Sequence, residues 1–130
     1  MKYPQNEITL YYKPDSLQSK KTLAHAHSIC DYVREINHLQ QLFTEMQLDE
    51  LANNLELKPS DLVDRKHELF NDKYANQEFS ETDWLTILVN TPELIISPIA
   101  VMGNRAIVIR YPVDILQLAN VDPVVVSDNL

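Results

Sequence analysis

The chain has 130 residues, 45% of them hydrophobic and 23% charged, which fits one globular domain with a real core and excludes a disordered chain. Its formal net charge of -8 argues against sequence-independent binding to nucleic acid or to an anionic membrane, since both need a basic surface. The single cysteine, Cys30, cannot form an internal disulfide, which fits a reducing cytoplasm.

No run of charged, then apolar, then small residues opens the chain, so no signal peptide is expected, and no apolar run reaches the length of a membrane span. The segment EITLYY (7–12) is rich in β-branched and aromatic residues and reads as a buried strand, ended by Pro14 and Asp15. Asp15 or Ser16 can cap a helix running to about His27, because either side-chain oxygen can take an orphan amide of the first turn. SICDYVREI (28–36) reads as a second strand, with Cys30 inside it. TEMQ (44–47) has the form of a capping box, and the helix after it puts Leu48, Leu51, Ala52 and Leu55 on one face. PSDLVDRKHELF (59–70) reads as another helix with Pro and Ser at its head. SETD (80–83) repeats the capping logic before WLTILVNTP, with Pro92 past the helix end.

PIAVMGNRAIVIRY (98–111) is a hairpin: Gly103-Asn104 separates two β-branched runs, and the only glycine of the chain suits the first position of a type II′ turn. Both arms are apolar at nearly every position, so helices are expected over both faces. PVDILQL (112–118) is a short last helix, and 119–130 is a tail carrying Val124, Val125 and Val126.

Strand, helix, strand, helices, hairpin, helix gives a single α/β domain over residues 1–130, with its core at about 7–118. The expected fold is thioredoxin-like: a βαβ unit, a helical insertion and a ββα unit, forming a mixed sheet with helices on both faces. In such a fold the turn from first strand to first helix is the reactive corner, because free amides and the positive dipole end stabilise a thiolate or an anion.

Three blocks, ITLYYKPDSLQSKKTL (8–23), SDLVDRKHELF (60–70) and TPELIISPIAVMGNRAIVIRYPVDILQL (91–118), resemble the arsenate reductase ArsC family, which includes the Spx transcription regulators. The specific points are Pro14, the run Ser19, Lys20, Thr22, Leu23, and the Pro-Glu-Leu-Ile stretch leading to Pro98. The resemblance implies a cis peptide before Pro98. It also puts the family's catalytic cysteine on Ser16 and the polar residues before the proline on Tyr12 and Lys13. Of the three arginines that hold the oxyanion in the family, one is matched by Arg110, one falls on Ser97, and one falls on Asp64 with Arg65 beside it.

A cysteine at a helix N-terminus can fall from a pKa of about 8.5 into the range of roughly 3.5–7.5, whereas a serine hydroxyl without a positioned base cannot become such a nucleophile. It cannot form a mixed disulfide with glutathione either. Asp15 and Asp64 would further oppose an anion. Glutathione-coupled arsenate reduction is therefore not expected, and no catalytic residue is assigned.

Ser16 is most simply a helix cap, worth about 1 kcal/mol. The sharper alternative is a hydroxyl that donates to a bound ligand's thiolate, as in serine-type glutathione transferases, with the peptide near Pro98 pairing with the ligand. Lys20, Lys21 and Arg110 are either a residual anion site or solvated and paired surface charges. Cys30 reads as a small hydrophobe without a partner thiol. His25 and His27 lie roughly 200° apart on a helix and cannot share a metal. His38 and His67 are isolated, Trp84 reads as core, and no metal site or glycine-rich phosphate loop is present.

Two classes of function follow. The first is a non-catalytic thioredoxin-fold module that binds a protein partner, by resemblance to the Spx branch. That branch often carries a Cys-x-x-Cys switch where this chain has Ser16 and Ser19. The second is an enzyme or carrier, glutathione-linked, that binds glutathione or an oxyanion through Ser16, Ser19, Lys20, Pro98 and Arg110. No resident cofactor is expected beyond glutathione in the second case.

Overall fold

The computed structural model describes residues 3–14 and 17–119. Strand β1 (Glu7–Tyr12) pairs in parallel with β2 (Tyr32–Asn37), and helix α1 (Leu17–Ile29) makes the crossover between them. β1 also pairs antiparallel with β3 (Ile99–Met102), which pairs with β4 (Arg105–Val108), giving the order β2-β1-β3-β4. This is the mixed α/β sheet expected of the order of elements.

β1 is central and buried on both faces, so its period of two feeds two cores. Ile8 and Leu10 join Ala26 of α1 with Ala100, Ile109, Ile115 and Leu118. Tyr11 joins Ile36, Phe43, Leu48, Leu62, Trp84, Leu88, Leu94, Ile99 and Val101 on the other side. Each fully buried Leu or Ile there stabilises the fold by about 1.5–3 kcal/mol.

The helical insertion contributes α2 (Glu45–Asn54) and α3 (Glu81–Asn90). Both carry the expected capping boxes: the Thr44 hydroxyl accepts from the Gln47 amide, and the Ser80 hydroxyl from the Asp83 amide. The side chains of Gln47 and Asp83 accept in return from the amides of Thr44 and Ser80. Leu48, Leu51 and Ala52 are buried, as their spacing required.

Three expectations are corrected. α1 continues to Ile29, past His27, because Ile29 packs against the core under the sheet; β2 therefore begins only at Tyr32, and Cys30 lies in the connection. The segment 59–70 is not one helix. It is a single 3₁₀ turn (Pro59–Leu62), then an extended stretch in which Val63 pairs with Ile95, and a π-helical turn (Phe70–Tyr74) follows. Pairing with 94–96 captures the backbone that a helix would have used. Finally, β3 is covered on both faces, but β4 is the sheet edge and all four of its residues are half-buried.

The hairpin connection is Gly103-Asn104. Gly103 has φ +64 while Asn104 has no positive φ, the type II′ pattern. The last segment, Pro112–Ala119, is a 3₁₀ helix, and residues 120–130 lie outside the described residues.

Candidate functional site: the corner after the first strand

β1 ends at Tyr12, and Lys13 and Pro14 lead toward α1. Across from them, Ser97–Pro98 is a cis peptide. The antiparallel register pairs Tyr11 with Ile99, the first residue of β3, which puts Pro98 at the same end of the sheet as Tyr12. The amide of Ile109 donates to the Pro98 carbonyl at 2.9 Å, which brings Arg110 to the same end of the sheet.

A third segment closes the corner. The Asp64 amide donates to the Leu94 carbonyl at 2.7 Å, and the Ile96 amide to the Leu62 carbonyl at 2.8 Å. This holds Asp64 next to the stretch that precedes Pro98. Lys13 then extends its Nζ to the Glu93 carbonyl oxygen at 2.7 Å. Burial lowers the ammonium's pKa below the usual lysine value, while Asp64 and Glu93 oppose that shift. The half-buried cation at the corner thus already has a hydrogen-bond acceptor and acidic company.

His38 follows β2 and donates its amide to the Tyr12 carbonyl at 3.2 Å. Its imidazole is fully buried, and neither ring nitrogen has a hydrogen-bond partner among the described residues. Burial, and then the charge of Lys13, brings its pKa down to about 4, so the ring is neutral at pH 7. Phe43 lies 6.3 Å away, ring centre to ring centre.

The residues named from the sequence divide as follows. Pro98 is buried and Arg110 is exposed, and the two are brought close through Ile109. Asp114 receives the amides of Arg110 and Tyr111, which fixes the turn carrying Arg110. Lys20 and Lys21 are exposed on α1, and Ser19 falls in the first turn of that helix. Ser16, with either cap for α1, lies outside the described residues. Arg65 does not face the corner. Its guanidinium lies over Phe70 at 5.1 Å and Trp84 at 5.9 Å and donates to the Ser60 carbonyl.

Sequence reasoning passed over Lys13 and His38 as site residues. Lys13 was legible as the cation directly before the turn proline. His38 was legible only through the parallel register, in which Tyr12 faces Asn37. Cys30 is at the other end of the sheet, its thiol 3.2 Å from the carbonyl oxygens of Asn6 and Tyr32. Among the described residues no group of three His, Cys, Asp or Glu side chains could hold a metal ion, and no helix is long and apolar enough to cross a membrane.

No protein-family model matches the chain, and no curated protein sequence matches it. Solved structures do. A Yersinia pestis protein assigned as an arsenate reductase superposes with a TM-score of 0.79 at 23% identity, covering 85% of this chain and 98% of the other. An arsenate reductase from Vibrio cholerae gives 0.78 at 23% identity, covering 86% and 97%. At these identities the likeness establishes architecture: the chain has the thioredoxin-like fold of the arsenate reductase structures.

Proposed function

We propose that this chain is a divergent relative of the ArsC family that carries serine, Ser16, at the position of the catalytic cysteine and acts as a binding or regulatory module rather than as an arsenate reductase. The observation that carries the reading is the position of its only sulfhydryl. Cys30 sits beside Asn6, before the start of β1, whereas the corner lies past Tyr12 at the other end of that strand. Six residues of strand separate the two, roughly 20 Å at about 3.3 Å per residue. Thiol chemistry at the corner has no thiol within reach. A protein partner in the reducing cytoplasm is the occupant this reading favours, and Ser16 and Ser19 give that binding no disulfide control.

A second reading is favoured by one feature, the cation Lys13 at the same end of the sheet as Pro98 and Arg110. Here the corner binds glutathione or an oxyanion, with Ser16 as hydrogen-bond donor, Lys20 and Ser19 along the helix start, and transferase-type or glutathione-linked redox chemistry as the outcome. Against it stand the Glu93 carbonyl and Asp64, which already occupy Lys13.

Amide NMR titration with glutathione, and separately with arsenate, distinguishes the two. The first reading expects no saturable shifts at Ser16 to Lys20 or around Pro98 at millimolar ligand. Saturable shifts there, abolished by Ser16→Ala or Arg110→Ala in a folded protein, would establish the second.

A further inference from the structure

Away from the corner, the sheet carries a half-open cavity of about 170 Å³ between Tyr3 and Pro4 on one side and the stretch before α2 on the other. Its floor is set by register: Thr9 is paired with Arg34 and Tyr11 with Ile36, so these four side chains lie on one face of two adjacent strands. Phe43 and Leu42 close it from the loop.

The lining has a specific chemistry. Three aromatic rings meet there: Tyr3 stands edge-on to Tyr11 at 6.5 Å, and Tyr11 lies 4.7 Å from Phe43. The hydroxyls of Tyr3 and Tyr11 are 2.6 Å apart and hydrogen-bonded. Burial raises the pKa of both phenols, so neither becomes a phenolate that could neutralise a nearby cation. Among the described residues that line the cavity Arg34 is the one that carries a charge, and its guanidinium has no hydrogen bond or ion pair with a described residue. Thr9, beside it on the floor, is 2% exposed.

The geometry points to a binding site for a small aromatic carboxylate, its ring against the cluster of Tyr3, Tyr11 and Phe43 and its carboxylate against the Arg34 guanidinium. The size fits: a protein cavity of about 150 Å³ takes up benzene. The charge fits as well. A planar guanidinium matches a carboxylate in two parallel hydrogen bonds. A cation would be repelled by Arg34.

The test is an amide NMR titration with benzoate, and with benzamide as its neutral isostere, on the wild-type chain, Arg34→Gln and Lys20→Gln. The Arg34 side chain is exposed, so its replacement leaves the core intact, and the dispersion of the spectrum checks that. Benzoate is expected to give saturable shifts at Thr9, Arg34, Leu42 and Phe43, with affinity reduced about tenfold in Arg34→Gln and unchanged in Lys20→Gln. Benzamide should bind about tenfold more weakly than benzoate. The proposal is overturned if benzoate does not saturate, if benzamide binds equally well, if Arg34→Gln has no effect, or if the Lys20 variant is the one that loses binding.

Discussion

The thiol of Cys30 lies 3.2 Å from the carbonyl oxygen of Asn6, at the foot of the central strand whose other end opens onto the corner. The protein has this one sulfhydryl and holds it where a small side chain fills the join between α1 and β2. Cys30→Ala is therefore expected to leave partner or ligand binding at the corner unchanged. Titration of the variant beside the wild type checks this, and altered binding at the corner would show that the two ends of β1 are coupled.

Lys13 and His38 are linked through the charge of the ammonium. Replacing Lys13 by Met removes both its hydrogen bond to the Glu93 carbonyl and the charge that, after burial, helps to keep the His38 pKa low. A half-exposed charged hydrogen bond of this kind contributes about 1 kcal/mol after solvent screening, and the His38 pKa should rise in the variant. Urea unfolding reads the first effect and NMR titration of the imidazole the second. An unmoved His38 pKa would remove Lys13 from its surroundings.

Acid should weaken the fold through His38. Its folded pKa of about 4 lies below the ordinary 6.5, so between those values the unfolded chain binds more protons than the folded one. Stability contributed by the neutral ring is full above pH 6.5, falls as pH drops through that window, and is lost below about 4. The total is on the order of 3 kcal/mol. His38→Leu keeps the buried volume and removes the proton, so its stability difference from wild type should widen in its favour from pH 7 to pH 5. Parallel pH profiles would contradict the assignment.

The caps carry ordinary, measurable energies. Thr44→Ala and Ser80→Ala each remove an acceptor for a first-turn amide and should each cost about 1 kcal/mol, near 4 °C in Tm for a domain of this size. Thr82→Ala, on the exposed side of α3, is the control expected to change little.

Gly103→Ala should cost about 1 kcal/mol through backbone strain at φ +64. A Cβ there would also meet the Gln5 side chain, which is exposed and able to swing away. The loss should therefore persist in a Gln5→Ala background. Rescue by that second change would assign the cost to contact rather than to the turn.

What was legible in the sequence was local. β1, both capping boxes and the Gly103-Asn104 hairpin announce themselves through neighbours within a few residues, and each stands where expected. The misjudged segments are those decided at long range. Ile29 and Cys30 look like strand residues, but packing under the sheet keeps Ile29 helical. Pro59 and Ser60 look like a helix head, yet the Val63–Ile95 pairing ends that turn after one round. At the corner, the cis peptide before Pro98 was expected from the resemblance and is present. The burial of His38, the bond from Lys13 to Glu93 and the diversion of Arg65 onto Phe70 and Trp84 depend on strand register and insertion packing.

We propose that the corner acts without thiol chemistry. Glutathione-coupled arsenate reduction, measured with the wild-type protein against Ser16→Cys and Cys30→Ala, tests it most directly. No turnover above buffer is expected for the wild type and for Cys30→Ala, with a glutathione mixed disulfide formed at residue 16 only in Ser16→Cys. Arsenate-dependent turnover by the wild type that survives Cys30→Ala would contradict it.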